Sequence, residues 1–325
     1  MMVVLLVISS CSSFMAGGHA WVRPSCRGAS KLAFSRWQSY PSMQLQVVTD
    51  IDDTVKSSGG VALLGIPLGG VDTSYQRNSF YPGVFSFGAE LSANAKGFKR
   101  RPPSIAVLTA RAEEFKWALE IKQSDKICTG FRDAGRAIGL GEGWGIGPVL
   151  YGSVAEWVCQ ERKGWRKFEN FKKLFAANSQ QKLQYVFVGD NGSSEKDIEA
   201  AQRIIGEFPD ALRAVFVHAV SGERQPAPLP EDHDIEGVPV RYFRTYPTAA
   251  AKAERLGLMS ARAVRRVCDA VEAEMKADTV NILPGSQNER LLLDELAKAR
   301  GLPRRRIAGA LASIWRRRPS LGRSI

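Results

Sequence analysis

The stretch that decides the fold is "LQVVTDIDDTVKSSG", Leu45 to Gly59. Four apolar or β-favouring residues run directly into three carboxylates, Asp50, Asp52 and Asp53, spaced within four positions. "LQVV" reads as a buried strand that ends at Asp50. Like charges this close repel, so the cluster calls either for a solvated turn or for a cation that offsets it.

The same pattern recurs outward from this point. "SIAVLTA" (Ser104 to Ala110), "PVLYGS" (Pro148 to Ser153), "LQYVFVGD" (Leu183 to Asp190) and "LRAVFVHAV" (Leu212 to Val220) are near-continuous apolar runs. Such runs fit strands buried on both faces of a parallel sheet. Helical patterns lie between them: "RAEEFKWALEIKQS", "KFENFKKLFAAN" and "EKDIEAAQRIIGEF". The alternation predicts an α/β fold with a doubly wound parallel sheet. The first, second and fourth runs are expected to end in Asp50, Thr109 and Asp190. In such sheets the ligand crevice lies beyond the carboxyl ends of the strands, so these three residues are expected to converge.

Past Val220, "SGERQPAPLPEDHDIEG" reads as a surface loop rich in Pro and charge, and "VPVRYFRTYPTAAAKAERLGL" as an edge strand and a short helix. From Met259 the chain is helical in pattern, with "SARAVRRVCDAVEAEMK" and "NERLLLDELAKARG", and it closes in a basic tail. No internal repeat is present.

Bulk composition bounds the chemistry. The 325 residues are 44% hydrophobic and 24% charged, with a net charge of +12. That charge suggests phosphates or an anionic membrane surface as partners; a nucleic-acid role has no supporting motif. Of five cysteines, Cys11 and Cys26 lie in the leader, and Cys128, Cys159 and Cys268 are widely spaced, which suggests neither a disulfide framework nor a zinc site. Three histidines, His19, His218 and His233, leave little room for a His triad. The chemistry is expected to run on carboxylates.

Residues 1–20 read as a signal peptide, with "GGHA" before a cleavage after Ala20. Residues 21–42 carry Arg23, Arg27, Lys31 and Arg36 with several serines and no acid, a transit-like or linker composition. Together they resemble the bipartite plastid leaders of algae with complex plastids; the alternative is a plain secretory signal with a linker. The catalytic domain is expected over 43–258, and a helical extension with a basic tail over 259–325.

The string Asp50-Ile-Asp52-Asp53-Thr54 is D-x-D-x-T after a hydrophobic strand, and it resembles the nucleophile motif of the haloacid-dehalogenase-like phosphatases. Thr109 ending "IAVLT", Lys167 opening "KFENF" and "VFVGDNG" at Val186 to Gly192 resemble that superfamily's later motifs, in order. The resemblance implies a Rossmann-like core and a reaction through an aspartyl phosphate. It makes Asp50 the nucleophile and Asp52 the general acid and base. Thr54, Thr109 and Lys167 would hold the phosphoryl group. Mg²⁺ would be held by Asp50, Asp190 and the backbone carbonyl of Asp52. A second acid after Asp190 is expected to join them. In "GDNGSSEKD" this is Asp197, favoured because "EKD" keeps the order before the helix, or Glu195. Lys163, four residues before Lys167, is the alternative to it.

"DIDDTVKSS", "PGV" at Pro82 to Val84, "LTAR", "RKFENF" and "FVGDNG" together resemble the actin-patch-associated phosphatidate phosphatase family, over about Leu45 to Leu258. That family implies Mg²⁺-dependent conversion of phosphatidate to diacylglycerol and phosphate. The alternatives are a phosphatase of a soluble phosphomonoester and a non-catalytic protein that binds anionic lipid.

Two features bear on the substrate. Tyr81 lies 27 residues after Thr54, and Lys167 lies 58 after Thr109, spacings too short for a large cap domain. "LLGIPLG" within the first is either an apolar lip or a packed hairpin. The tail "GLPRRRIAGALASIWRRRPSLGRSI", with seven arginines and no acid, suits peripheral association with an anionic membrane or a solvated end.

Overall fold

The computed structural model describes residues 44–60, 62–63, 66–67, 70–93, 101–112, 120–152, 163–181, 183–192, 196–220, 228–277, 279, 282 and 285–302. Residues 1–43, on which the expected leader falls, nearly all of the basic tail, Glu195 and the Lys163 side chain lie outside these residues.

Strand β1 (Gln44–Thr49) is paired in parallel on both sides, with β4 (Ile105–Ala112) and with β6 (Leu183–Asp190). Flanking on both sides explains why its residues are almost all buried. Successive side chains of a strand point to opposite faces, and the sequence serves both. Leu45, Val47, Ile105, Val107, Val186, Val188, Ala214 and Phe216 enter one apolar layer. Val48, Ala106, Leu108, Tyr185, Phe187, Val215 and Val217 enter the other.

Beyond these come β5 (Ile146–Gly152) and β7 (Leu212–His218), then β8 (His233–Ile235) and β9 (Val238–Phe243). The seven-stranded sheet runs in the order β5-β4-β1-β6-β7-β9-β8, and only β8 is antiparallel to its neighbour. The chain moves from β1 outward to β5, then returns to β6 on the other side of β1. The strand order therefore reverses at β1, which is where a crevice opens at the carboxyl edge of such sheets. A separate hairpin, β2 (Ala62–Leu63) with β3 (Ile66–Pro67), lies between β1 and the first helix. Its pairing shows a hairpin in "LLGIPLG"; the side chains there lie outside the described residues.

Seven helices among the described residues cover the sheet. The first layer takes apolar side chains from α1 (Val84–Ala93), α2 (Lys126–Ala137), α5 (Tyr246–Arg255), α6 (Ala261–Lys276) and α7 (Gln287–Arg300). The second takes them from α3 (Lys163–Ala177) and α4 (Lys196–Glu207). The α/β expectation holds, with a mostly parallel sheet between two helical layers.

Three local expectations do not hold, and a fourth fails at both of its ends. A helix was expected over Arg111 to Ser124, but Arg111 and Ala112 still belong to β4 and residues 120–125 are not helical; 113–119 lie outside the described residues. A separate helix begins at Lys126, after Asp125, the N-cap residue, whose backbone is extended. The stretch after Val220 is not all loop: "HDI" forms β8 and becomes the sheet edge, so β9 is an inner strand. Lys167 does not open its helix but sits in the second turn of α3. Thr109 is not the end of its strand, since β4 continues to Ala112.

The C-terminal helices are locally specified. Ser260 caps α6 by accepting from the Ala263 N–H. Ser286 caps α7 by accepting from Glu289 N–H, while the Glu289 carboxylate accepts at 2.6 Å from the N–H of Gly285, the residue before the cap. Gly301 ends α7 at φ 63°, a left-handed conformation glycine adopts without penalty.

Two acids tie α6 to α1. Glu90 forms a bidentate pair with Arg266. Glu274 accepts from the Gly83 N–H at 2.9 Å, just before α1, and burial pushes its carboxyl up to about 7 against that bond. A carboxyl whose folded pKa is raised contributes stability below its unfolded pKa and loses it as pH rises through the folded value. Glu274→Gln keeps an acceptor for Gly83 and removes the ionisation. Its thermal midpoint is expected to match the parent near pH 4.5 and to exceed it by a few degrees at pH 8. Parallel midpoint curves across that window would refute the buried ionisation.

Candidate active site

Asp50 directly follows β1, and its N–H donates to the Val188 carbonyl at 3.0 Å, so the β1–β6 ladder fixes its backbone. Its carboxylate Oδ2 lies 3.0 Å from the Lys167 Nζ. Lys167 is 4% exposed and also pairs with Asp197 Oδ1. Asp197 stands in the first turn of α4 and is buried; its Oδ2 accepts from the Asp190 N–H at 3.0 Å. Asp190, the last residue of β6, accepts from the Gly192 N–H at 2.6 Å through Oδ1. A side chain at Gly189 would meet Asp197 Oδ2 at 2.3 Å, so that glycine makes room for the carboxylate.

Four residues from three distant segments thus converge. One carboxylate oxygen each from Asp50, Asp190 and Asp197 lies within 4.8 Å of the others. Burial pushes the Asp50 carboxyl up to about 7 against the pull of Lys167, and the Asp197 and Asp52 charges push the same way. Burial, then Asp197 and Asp50, hold Asp190 well above the usual carboxylate range. Burial alone would favour a neutral Lys167 amine, but Asp197, Asp50 and Asp190 outweigh it and keep the ammonium. Among the described residues one ammonium faces three carboxylates, Asp50 and Asp197 buried and Asp190 partly exposed, so the site is short of positive charge. Its donors are all oxygens, the set that hard divalent cations take. These residues therefore fit a bound metal ion. Both Asp197 oxygens already have protein partners, so Asp197 also orients Lys167 and the Asp190 backbone.

Asp52 lies past the end of β1, in a turn rather than on the strand. The Ile51 carbonyl accepts from the N–H groups of Thr54, Val55 and Lys56, at 3.3, 2.8 and 3.1 Å, so the chain turns there. Asp52 is half-buried in this turn. Thr109 is 1% exposed and falls where the β4–β5 register shifts between Leu108 and Ala112, an irregularity that re-aims side chains. Thr54 is fully enclosed. Its Oγ1 has no hydrogen-bond partner, while its carbonyl accepts from the Tyr246 hydroxyl at 2.6 Å.

The sequence reading gave Asp53 no role and missed the residues that hold the loop. Asp53 has φ 61° and no exposure. Its carbonyl lies 2.7 Å from His218 Nδ1, and the other ring nitrogen lies 3.1 Å from the Arg244 carbonyl. His218, at the end of β7, therefore links the carboxylate loop to the chain just past β9. A polar residue set inside an apolar run was the available signal. No family model, curated protein or solved structure matches this chain.

Proposed function

We propose that this chain is a Mg²⁺-dependent phosphomonoester hydrolase of the haloacid-dehalogenase-like type, acting on phosphatidate through an aspartyl phosphate. The observation that carries it is the largely buried convergence of Asp50, Lys167, Asp190 and Asp197, four residues the motif order singles out. Asp50, Asp190 and the Asp52 carbonyl would hold Mg²⁺, with Asp197 beside them. When bound, the ion supplies positive charge that masks repulsion between the phosphate and the carboxylates.

The chain's own residues then divide the work. Lys167 draws Asp50 toward its ionised form and neutralises the transferring group. An Asp50 carboxylate oxygen attacks phosphorus and the bond to the ester oxygen breaks. Asp52 gives its proton to that leaving oxygen. The Asp52 carboxylate next takes a proton from water, which attacks the phosphorus of the aspartyl phosphate; the bond to Asp50 breaks and phosphate leaves. Thr109 would donate a hydrogen bond to a phosphoryl oxygen. The choice of phosphatidate rests on the sequence resemblance, together with a net charge of +12 that suits an anionic substrate surface.

The test is phosphate release from phosphatidate in mixed micelles, with Mg²⁺ and with chelator, beside a soluble aryl phosphate. Mg²⁺-dependent release from phosphatidate, at least tenfold faster per enzyme than from the aryl phosphate, is expected. Release from the aryl phosphate alone would retain the aspartate chemistry and discard the lipid substrate. No release from either would leave anionic-lipid binding as the reading.

A further inference from the structure

We propose that Asp53 is a positioning residue: its carboxylate clamps together the two ends of the excursion between Ser58 and Asp72, and so fixes the turn that carries Asp52. The catalytic consequence rests on the phosphatase reading above; the clamp itself does not.

The outgoing end of the excursion is held at Ser58, whose N–H donates to Asp53 Oδ1 at 2.8 Å. The returning end is held at Val71 and Asp72, whose N–H groups donate to Oδ2 at 2.5 and 2.9 Å. Three backbone donors on one carboxylate form a strong acceptor site. Between these ends lies the β2–β3 hairpin. A Cβ on Gly70 would fall 2.0 Å from Asp53 Oδ2, so the clamp requires a residue without a side chain there. The sequence supplies "GG" immediately before Val71.

The clamp reaches the carboxylate cluster from the other side. A Cβ on Gly192 would meet Asp190 Oδ1 and, at 3.6 Å, the Val71 Cγ2. The returning end therefore packs on the Asp190–Gly192 turn. It is itself braced: the Asp72 carboxylate accepts from the Tyr81 hydroxyl at 2.7 Å and from Ser74 N–H at 2.9 Å. The Tyr81 ring meets His218 edge-on at 4.4 Å, and His218 contacts the Asp53 carbonyl. Asp53 also donates its N–H to the Lys56 carbonyl at 2.7 Å. A left-handed conformation at a non-glycine residue persists only where its surroundings over-determine it, and here backbone and carboxylate are both fixed. Asp52, one residue earlier, takes its position from this anchor. A general acid displaced by about 1 Å can lose ~100-fold in rate.

Asp53→Gly removes the carboxylate and eases the positive φ, so the chain retains its turn but not its clamp. Gly70→Ala attacks the same contact from the other partner. Asp53→Asn, which tolerates the left-handed conformation, keeps an acceptor oxygen but replaces the other with a donor that faces N–H groups. Hydrogen exchange in the full chain is expected to accelerate at least about tenfold at the Ser58, Val71 and Asp72 amides in Asp53→Gly and Gly70→Ala. Amides of β6 and α3 should hold their protection. In the same variants kcat for phosphate release should fall about tenfold or more with KM within about twofold, and Asp53→Asn should lie between. Unchanged exchange at the three amides would overturn the clamp. Faster exchange with unchanged kcat would overturn the positioning role. A wild-type chain that releases no phosphate, while Asp53→Gly still frees the three amides, would refute the phosphatase reading and retain the clamp.

Discussion

Asp50→Asn is expected to reduce Mg²⁺-dependent phosphate release by at least about four powers of ten, on the scale seen when a covalent nucleophile is removed. The amide is nearly isosteric, and its oxygen still faces Lys167, 3.0 Å from the carboxylate it replaces. What it lacks is the charge and the electron pair that form the bond to phosphorus. The same change should not weaken the fold. Burial and the neighbouring acids already push the Asp50 carboxyl up to about 7, so at pH 8 without a cation the native state bears the cost of keeping it ionised. The sign follows from linkage: a raised carboxyl pKa contributes stability at low pH and loses it as pH rises from about 4 to 7. The uncharged amide removes that loss. The variant's thermal midpoint in chelator at pH 8 should therefore equal or exceed the wild-type value, while the gain on adding Mg²⁺ should shrink. Kinetics and scanning calorimetry on one preparation test both halves. Residual activity within tenfold of wild type would sink the covalent mechanism; a large drop in midpoint would show that Asp50 is structural.

The sheet was legible because two-sided burial leaves a strong mark. Leu45, Val47 and Val48 must all be apolar when helices cover both faces, and the same holds for "VFV" at Val186 to Val188. Asp50, Lys167, Asp190 and Asp197 were legible because a buried charge cluster needs partners, and the motif order named them. The choice of Asp197 over Glu195 and of Lys167 over Lys163 remained open in the sequence. The structure brings Asp197 and Lys167 together with Asp50.

What stayed hidden follows from the limits of periodicity. The ends of the helix expected over Arg111 to Ser124 were misplaced because "RAEEFKWALEIKQS" carries helical spacing throughout, yet β4 runs on through Ala112 and residues 120–124 are not helical. β8 was missed because "HDI" is three residues long with His233 and Asp234 exposed, so it bears no apolar mark. Asp53 was missed for a different reason. Its role comes from a positive φ and from amides up to 19 positions away, and no local pattern encodes either. "DIDD" shows that three acids are adjacent, but not that one of them serves the backbone rather than the substrate.

That division of labour makes Lys167 the residue on which stability and chemistry meet, and Lys167→Met is expected to damage both. Methionine keeps most of the buried stem and removes the ammonium that pairs with Asp50 and Asp197. The three clustered carboxylates would then lack their only described cationic partner. Removing one partner from a buried ion pair costs about 3–5 kcal/mol. In a domain of this size that corresponds to a fall of roughly 10 °C in thermal midpoint. The deficit should grow as pH rises, because the carboxyls escape part of it by taking up protons at low pH. Mg²⁺ should recover some of the midpoint, since the ion supplies charge to the same oxygens, but not the activity, because the transferring phosphoryl group still lacks its ammonium. Calorimetry at pH 5 and pH 8, with Mg²⁺ and with chelator, separates these effects. A midpoint within about 2 °C of wild type at pH 8 in chelator would mean that the buried pair does not form. Activity kept in Lys167→Met but lost in Lys163→Met would move the role one helical turn toward the start of α3.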